Sequence, residues 1–229
     1  MRHIPASCTA DSGVLLFEEA LRPTAGNYDR TRWLYVPDHY CEYRYILGTR
    51  GEKPLICVGI NPSTAVPGRL DNTLASAQRI SLANGYDSFI MFNVYAQRAT
   101  DPDDMEAECN PILHRENLRA FDWLLSGLSG PPAVWAAWGT IIEKRPWLPA
   151  CVMDMVAVAK KHGARWYTAG PRSRAGHPHH PLYLKKDSCL DPFPDLEAYL
   201  SSLMPEGALP LRHSDQCEEC PASEQLLQV

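Results

Sequence analysis

Four short apolar runs, separated by stretches with helical signals, limit the fold of this chain more than any other feature. The runs are 55–60 (LICVGI), 88–94 (SFIMFNV), 133–139 (AVWAAWG) and 165–170 (RWYTAG). Each is almost continuously apolar, as strands are when helices cover both faces of a parallel sheet. The alternation predicts an α/β fold with three layers, α/β/α, around a central, mainly parallel four-stranded sheet.

Helices are predicted between these runs. They cover 71–84, which ends in Asn-Gly, then 116–125, and then 150–162, which stops at Gly163. A further strand is predicted at 40–48 (YCEYRYILG), where apolar and polar residues alternate. We expect this strand to lie near the edge of the sheet.

The domain organisation follows from where this pattern stops. From Pro205 onward the chain is polar, with Pro, Gly and Glu, which is typical of a loose tail. The 229 residues fit one large α/β domain, and 45% of them are hydrophobic, as in a protein with a sizeable core. We therefore predict a single α/β domain at 1–204 and a polar C-terminal tail at 205–229.

Composition and cysteine usage narrow the setting in which the chain works. The formal net charge is -5, whereas proteins that coat nucleic acid non-specifically are usually basic; a local basic groove is still compatible with this charge. No apolar run is long enough to span a bilayer, and the N-terminus does not read as a secretory signal. The eight cysteines are scattered and expected to be reduced. We expect a cytoplasmic monomer with no membrane partner.

Polar loops leave the ends of all four predicted strands. They are 61–64 (NPST), 93–100 (NVYAQRAT), 138–140 (WGT) and the histidine-rich loop 170–186. Ligands of open α/β sheets bind at the carboxyl ends of the strands, so these four loops predict one pocket.

Each of these loops also has a structural interpretation. Asn61 precedes a proline and is a common turn former. Asn93 can cap a helix or satisfy a loop amide, and the Trp138-Gly139 step favours packing over chemistry. The histidine-rich loop is harder to explain as an ordinary solvated loop, because it combines three His, three Pro and several basic residues.

Two groups of residues look like metal ligands, and neither leads us to expect a metal. The first group lies in the histidine-rich loop and consists of His177, His179, His180 and Asp187. Catalytic zinc ligands usually come from a rigid helix or from separate elements, which argues against this group. The second group is only half of a zinc site, in the polar tail, and consists of His213, Cys217 and Cys220. We predict neither a metal nor a cofactor.

The order of four short motifs resembles that of the uracil-DNA glycosylase superfamily. Residues 59–63 (GINPS) are similar to its first motif, in the Gly-x-Asn-Pro form of the mismatch-specific branch. Residues 90–93 (IMFN) resemble the segment whose asparagine reads the base edge, and 133–139 resembles the apolar strand that ends in Trp-Gly. Residues 180–184 (HPLYL) resemble the His-Pro motif that ends in a DNA-inserting leucine. The resemblance implies a uracil-DNA glycosylase-like fold.

A closer resemblance is to the DUF1643 family of bacterial and phage proteins. Its members pair a Gly-x-Asn-Pro-Ser-Thr-Ala segment, here 59–65, with Asn-x-x-Ala-x-Arg-Ala-Thr-Asp-Pro, here 93–102, and His-Pro-Leu-Tyr-Leu, here 180–184. The resemblance runs from about Tyr43 to Lys186. No single motif is specific, and it is their order, each at the end of a predicted strand, that supports the fold.

The glycosylase resemblance implies a role for the central residue of each motif. Asn61 would position a water near the anomeric carbon, because an amide is too weak a base to deprotonate it. Asn93 would bind the base edge, and His180 would stabilise the departing base.

The same resemblance, with the neighbouring polar residues, implies further contacts. Such enzymes flip the base out of the duplex, so phosphates must be held and the gap must be filled. The additional substrate-binding candidates are Ser63, Arg98 and Thr100. The DNA-binding candidates are Arg172, Arg174, Tyr183, Leu184 and Lys185.

Departures from the superfamily pattern point away from plain uracil. The uracil-specific branch has Asp where Asn61 stands, no stacking aromatic follows it, and the His-Pro motif lacks the usual Ser-Pro step. We therefore predict a DNA glycosylase that hydrolyses the N-glycosidic bond of a modified or damaged base and leaves an abasic site. A bulky modified pyrimidine of phage DNA would make the protein an antiviral defence enzyme, and a damaged base would make it a DNA repair enzyme.

Two other functions stay open at this point. One is a hydrolase or transferase of free nucleosides or nucleotides, which would ignore duplex DNA. The other is a non-catalytic nucleic-acid-binding module on the same fold, since a fold hosts several functions.

Overall fold

The computed structural model describes residues 2–6, 13–24 and 26–204. The predicted tail at 205–229, with His213, Cys217 and Cys220, lies outside the described residues. In chain order the strands are β1 (Trp33–Val36), β2 (Ile46–Thr49), β3 (Pro54–Gly59), β4 (Ser88–Asn93), β5 (Ala133–Ala136), β6 (Arg165–Ala169) and β7 (Leu190–Pro192). The helices are α1 (Phe17–Ala20), α2 (Asn72–Ala83), α3 (Pro111–Ser126), α4 (Leu148–Lys161) and α5 (Leu196–Leu203).

All seven strands belong to one mixed sheet, in the order β1-β2-β4-β3-β5-β6-β7. The inner strands β4, β3, β5 and β6 are parallel neighbours, with Val58 aligned to Phe92 on one side and to Ala136 on the other. The outer strands β1, β2 and β7 pair antiparallel and extend the sheet at both edges. The carboxyl ends of the parallel strands therefore meet along one edge of the sheet.

The four-stranded sheet expected from the sequence is too small, because the sheet has seven strands. The missed strands are short: β1 has four residues, and β7 has three, one of them acidic and one a proline. Segments of this kind lack the long apolar runs by which buried parallel strands are recognised. The edge strand expected at 40–48 exists as β2, which starts only at Ile46.

Helices cover both faces of the sheet and make three layers. α2 packs on one face through Leu74, Ala77 and Ile80, which share an apolar cluster with side chains of the strands. α3 and α4 cover the opposite face in a larger cluster that includes Phe121 and Met155. Because both faces are covered, every residue of β3 and β4 is buried, as their apolar runs predict.

Two helix starts are set by polar caps. α3 begins at Pro111, well before the predicted start at 116, because the side chain of Asn110 accepts backbone N–H groups of its first turn. α2 begins after Asp71, whose carboxylate accepts the N–H of Leu74 and so places the first turn of α2 at the carboxyl edge of the sheet. None of the helices in the described ranges has the length and apolar character needed to cross a membrane.

Candidate active site

A cleft of about 370 Å³ opens at the carboxyl edge of the parallel strands. The loops that follow β3, β4, β5 and β6 line it, together with the first turn of α2 and the side chain of Arg44. Its polar and charged lining residues are Arg44, Asn61, Ser63, Asp71, Asn72, Thr73, Thr100 and His180. Residues from separate parts of the chain therefore converge where an open α/β sheet binds its ligands.

His180 lies in the cleft as a neutral imidazole. Burial lowers its pKa below the ordinary 6.5, and the negative charge of Asp71 offsets this only in part. Its Nδ1 accepts the backbone N–H of Leu182 at 3.4 Å, so the single ring proton of the neutral form sits on Nε2. Nε2–H has no partner within the described ranges and is a donor for a ligand in the cleft.

The Trp-Gly step after β5 sets how closely His180 approaches the sheet edge. Gly139 has a φ of +62°, which favours glycine, and a Cβ built on it would lie 3.3 Å from the Cβ of His180. Trp138 is fully buried, and its Nε1 donates to the hydroxyl of Tyr199 at 3.3 Å. Trp138 thus packs, as expected, while the glycine makes room for the histidine.

Asn61 joins the loop after β3 to the loop after β4. Its Nδ2 donates to the carbonyl oxygens of Ala99 (2.8 Å) and Pro62 (3.1 Å). Its Oδ1 has no hydrogen-bond partner in the described part of the chain, and the residue lines the cleft. The amide nitrogen therefore fixes a turn, and the amide oxygen is an acceptor for a water or a ligand.

Arg44 lies at the bottom of the cleft and Asn93 lies behind it, and each residue is 1% exposed. The Asn93 amide oxygen accepts from Nη2 of Arg44 (3.3 Å), and its amide nitrogen donates to the carbonyl oxygen of Asn61 (3.3 Å). Arg44 belongs to the cleft lining and Asn93 does not. Asn93 therefore supports Arg44 and the Asn61 turn from behind.

Arg98 is a second buried cation beside Arg44. Its guanidinium donates to the hydroxyl of Tyr35 (2.8 Å) and to the carbonyl oxygen of Ser63, and it lies 4.3 Å from the ring centroid of Tyr40. Burial and the nearby charge of Arg98 lower the pKa of Arg44 to about 9. We call Arg44, Asn93 and Arg98 the cleft floor.

A comparison with known sequence families covers this cleft. A family model described as protein of unknown function (DUF1643) matches residues 44–182, more than half of the chain. The chain belongs to the DUF1643 family. The match begins at Arg44 and ends at Leu182, so the family segment contains nearly all of the cleft lining. No curated protein and no solved structure matched the chain.

Several residues selected from the sequence meet in the cleft of this family segment or at its edge. They are Asn61, Ser63, Thr100, His180 and Tyr183. The Ser63 hydroxyl donates to that of Thr100 at 3.3 Å, which links the loops after β3 and β4. Asn93 and Arg98, which were expected to contact the substrate, are instead buried behind the lining.

Leu184 does not occupy the position expected of a DNA-inserting side chain. It is half-buried and packs against the apolar cluster on the α2 face of the sheet. Leu182 and Tyr183 line the cleft and are exposed, Tyr183 by 81%. The short 3₁₀ helix Pro181–Tyr183 accounts for the difference, since it turns these two side chains outwards before the chain returns to the sheet.

The basic residues of the loop after β6 differ in their partners. Arg172 forms an ion pair with Asp195 (2.9 Å) and stacks over the ring of Phe193, so its charge is already compensated. Arg174 and Lys185 are exposed, and neither has an ion pair within the described ranges. Of the three basic candidates for DNA binding, only these two present an uncompensated charge.

The histidines of this loop also differ. His177 is 2% exposed, its Nδ1 hydrogen-bonds to the hydroxyl of Tyr199 (2.8 Å), and its Nε2 lies 3.6 Å from Glu143. It is a packed structural residue, whereas His180 lines the cleft. Among the described residues, no group of three or more His, Cys, Asp or Glu side chains could hold a metal ion.

Two charged residues of the cleft, Arg44 and Asp71, were not selected from the sequence. Arg44 stands between two tyrosines in the strand-like segment 40–48, and a single cation in such a segment is the signal that could have found it. Asp71 was interpreted only as a helix start. Its carboxylate caps α2 and also interacts electrostatically with Arg44 and His180.

Proposed function

We propose that the protein is a DNA glycosylase that hydrolyses the N-glycosidic bond of a modified or damaged base and leaves an abasic site. The observation that carries the proposal is that Asn61, Asp71 and His180 line the same cleft. They offer an acceptor for water, a carboxylate and a neutral hydrogen-bond donor. The resemblance of the motifs to the uracil-DNA glycosylase superfamily supports the same reaction.

The chemistry follows from the charges that develop as the bond breaks. The sugar becomes cationic, and the base leaves with the electron pair of the C–N bond. In the proposed reaction, His180 donates a hydrogen bond from Nε2–H to the departing base and keeps the proton, and Asn61 Oδ1 holds the water that bonds to the anomeric carbon. The carboxylate of Asp71 favours the cationic sugar and takes the proton that the water loses. A preorganised donor of this kind contributes on the order of a hundredfold or more to the rate.

The exposed edge of the cleft suits a DNA substrate. A base inside a duplex is out of reach, so the enzyme must flip it out and fill the gap. Tyr183 and Leu182 are the exposed side chains beside the cleft that can do this, in place of Leu184. Arg174 and Lys185 are the cations that can hold the flanking phosphates.

The substrate class follows from the residues after Asn61. Of the small residues that follow Asn61, Ser63 lines the cleft, where a bulky aromatic would narrow it, whereas Ala65 is buried in the apolar cluster on the α2 face. A roomy cleft does not reject small bases by contacts alone, so selectivity has to come from hydrogen bonds to a modification. The hydroxyls of Ser63 and Thr100 line the cleft and are suited to this. With a bulky modified pyrimidine of phage DNA as substrate, the role is antiviral defence.

The test is a panel of duplexes assayed for abasic sites and, by mass spectrometry, for the released base. The duplexes contain uracil, a thymine mismatch, hydroxymethylated cytosine or glucosylated cytosine, and natural genomic DNAs with other modified bases complete the panel. We expect release of a modified base by the wild type, loss of release in His180→Ala, and retention in the control His179→Ala. Cleavage of uracil alone would contradict the modified-base proposal.

A second candidate is a hydrolase of free nucleosides or nucleotides. The net charge of -5 and the ion pair of Arg172 favour it, because both reduce the attraction for DNA. The panel therefore includes free nucleosides and 5′-nucleotides. Release from these alone would support the second candidate, and tight DNA binding without release of any base would support a non-catalytic module.

A further inference from the structure

The cleft floor holds positive charge that the described residues do not neutralise. Arg44 and Arg98 are at most 1% exposed, and neither has an ion pair in the part of the chain that the structure describes. At Arg44 the positive charge of Arg98 acts more strongly than the negative charge of Asp71. Buried charges in proteins are normally paired, so two adjacent unpaired guanidiniums are an unusual arrangement for a purely structural site.

Arg44 also keeps hydrogen-bond donors that the protein does not use. A guanidinium has five N–H groups. Those of Arg44 have two long contacts, from Nη1 to the carbonyl oxygen of Ala65 (3.5 Å) and from Nη2 to Asn93 (3.3 Å). Its Nε is buried and has no partner in the described part of the chain. Arg44, which lines the cleft, therefore has N–H groups left over that can bind a ligand.

The first turn of α2 adds a second, independent source of donors. This twelve-residue helix begins at the cleft, and Asn72 and Thr73 belong to the lining. The first N–H groups of a helix have no partners within it, and they carry the positive end of the helix dipole. The side chain of Asp71 accepts the N–H of Leu74, and its backbone carbonyl accepts that of Ala75. A buried cation and a helix N-terminus thus line one cleft.

We propose that the bottom of the cleft is an oxyanion-binding subsite, in which Arg44 and the first turn of α2 bind a carboxylate or phosphate group of the ligand. An anion there satisfies the unused N–H groups and compensates the charge of the floor in a partly enclosed site, where charge-assisted hydrogen bonds are strong. Asn93 and Arg98 are positioning residues and do not line the cleft. Asn93 contacts Arg44, and Arg98 donates to the carbonyl oxygen of Ala65 that Arg44 also contacts.

Asp71 sets the strength of this subsite. It is the acidic residue of the lining and acts on Arg44 with the opposite sign to Arg98. His180 is neutral and therefore does not change the net charge of the cleft. The two arginines outweigh the single carboxylate, so the floor attracts anions, and removal of the Asp71 charge should strengthen that attraction.

The test measures binding directly, by calorimetric titration of the full chain with inorganic phosphate and pyrophosphate. Arg44→Gln should weaken the affinity about tenfold or more, because it removes a charge-assisted contact. Arg44→Lys should retain part of the phosphate affinity, since it keeps the positive charge but loses the planar guanidinium that binds an oxyanion through two N–H groups. The matched control is Arg174→Gln, which removes an exposed cation of the same chemistry and should leave the affinity unchanged.

A second variant keeps the proposal testable if Arg44→Gln does not fold. Asp71→Asn retains a residue that caps helices as well as Asp does, so α2 is preserved. It should tighten phosphate binding several-fold. The proposal is overturned if phosphate does not bind the wild type, if Arg44→Gln binds it as tightly as the wild type, or if Asp71→Asn leaves the affinity unchanged or lower.

Matched ligands identify where the oxyanion comes from. Deoxycytidine is compared with its 5′-monophosphate, and separately with 5-carboxydeoxycytidine. If the monophosphate binds more tightly than deoxycytidine and this gain depends on Arg44, the subsite binds a nucleotide phosphate. If 5-carboxydeoxycytidine shows the same gain, the subsite binds an anionic modification of the base. No preference for either charged ligand overturns the proposal. Because no turnover is measured, a failure of the glycosylase proposal leaves this result intact, and the reverse also holds.

Discussion

The cations of the cleft floor and those of the loop after β6 have opposite environments. Arg44 and Arg98 are buried and unpaired within the described ranges, and they contact hydroxyl, amide and carbonyl groups. Arg174 and Lys185 are exposed, and Arg172 already pairs with Asp195. The loop cations act at long range and are screened by salt, whereas the floor cations act only on a group that enters the cleft. In the proposed function, approach to DNA and recognition of the ligand therefore depend on different residues.

Under the proposed function, the chemistry belongs to the cleft and the attraction of DNA belongs to the loop. His180 stands between the two regions, since it belongs to the loop by sequence and to the cleft by position. Substitutions inside the cleft should change the chemical step or ligand recognition. Substitutions on the exposed loop should change only DNA binding.

The largest effect is expected for His180→Ala. It removes the proposed Nε2–H donor to the departing base and should lower kcat about a hundredfold or more, with little change in DNA affinity. Single-turnover kinetics with a fluorescent duplex separate the two quantities. The matched control His179→Ala should retain activity. Equal loss in both variants would mean that the loop, rather than the His180 side chain, carries the effect.

The pH dependence of the same residue gives the next largest effect. The pKa of His180 is lowered from 6.5 by burial, so the neutral form that the proposed reaction requires persists below pH 6.5. kcat should fall about tenfold per pH unit once the pH drops below the folded-state pKa. Since the folded-state pKa lies below the unfolded value, the stability that His180 contributes is present above pH 6.5 and is lost as the pH falls through the folded-state pKa.

Rate and melting profiles against pH check both statements. His180→Gln serves as the control for stability, because it cannot titrate. Asp71→Asn removes the charge that raises the pKa of His180, so the pKa of His180 should be lower in this variant than in the wild type; it is followed by NMR, because the proposed reaction also uses the Asp71 carboxylate. A flat profile below the normal histidine pKa would contradict the assignment of the neutral donor.

Gly139→Ala tests whether the position of His180 depends on the space that Gly139 leaves beside it. Both Gly139 (φ +62°) and Gly68 (φ +73°) adopt the left-handed conformation, and an alanine at either position should cost roughly 1 kcal/mol of stability. Only at Gly139 does the added Cβ meet His180, at 3.3 Å; at Gly68 it meets open space. We therefore expect comparable losses in melting temperature but about a tenfold loss of kcat only in Gly139→Ala. Equal activity in the two variants would show that His180 tolerates the shift.

Sequence reasoning located the parallel strands and the edge of the site for a physical reason. Buried parallel strands need continuous apolar runs, and the ligand edge of an open sheet needs polar loops, so both are visible in the sequence. His180 and Asn61 were selected in this way, and both line the cleft. The depth of a side chain in a loop is not visible, because it depends on long-range contacts.

Arg98 and Leu184 illustrate that limit. Arg98 is covered by Tyr35 and Tyr40, and its backbone N–H donates to the carbonyl oxygen of Glu42 (2.8 Å), all in a segment before the first predicted parallel strand. Leu184 is turned inwards by a short 3₁₀ helix that ends just before it. Neither contact follows from the spacing of residues along the sequence. Arg98 and Leu184 were therefore both predicted to be more exposed than they are.

A smaller effect is expected at the exposed apolar pair beside the cleft. Tyr183→Ala should lower activity on duplex DNA about tenfold and leave activity on single strands nearly unchanged, because only a duplex has a gap to fill. The comparison variant is Leu184→Ala, which should lower the melting temperature and affect both substrates alike, since Leu184 packs against the core. A duplex-specific loss in Leu184→Ala instead would restore it as the inserting side chain.

The smallest effect is expected for single cations of the loop after β6. The salt dependence of DNA binding should distinguish the unpaired cations from Arg172. Arg174→Gln and Lys185→Gln each remove an exposed, unpaired charge, and each should reduce the salt dependence of DNA binding by about one phosphate contact.

Arg172→Gln should change the slope of this salt dependence less, because the Arg172 guanidinium is held by Asp195 and Phe193 and releases no counterion on binding. It should instead lower stability by a few tenths of a kcal/mol, as the loss of an exposed ion pair does. Binding isotherms at several salt concentrations measure the slopes. If Arg172→Gln changes the slope as much as Arg174→Gln, then DNA displaces Asp195 from Arg172, and all three loop cations belong to the DNA-binding surface.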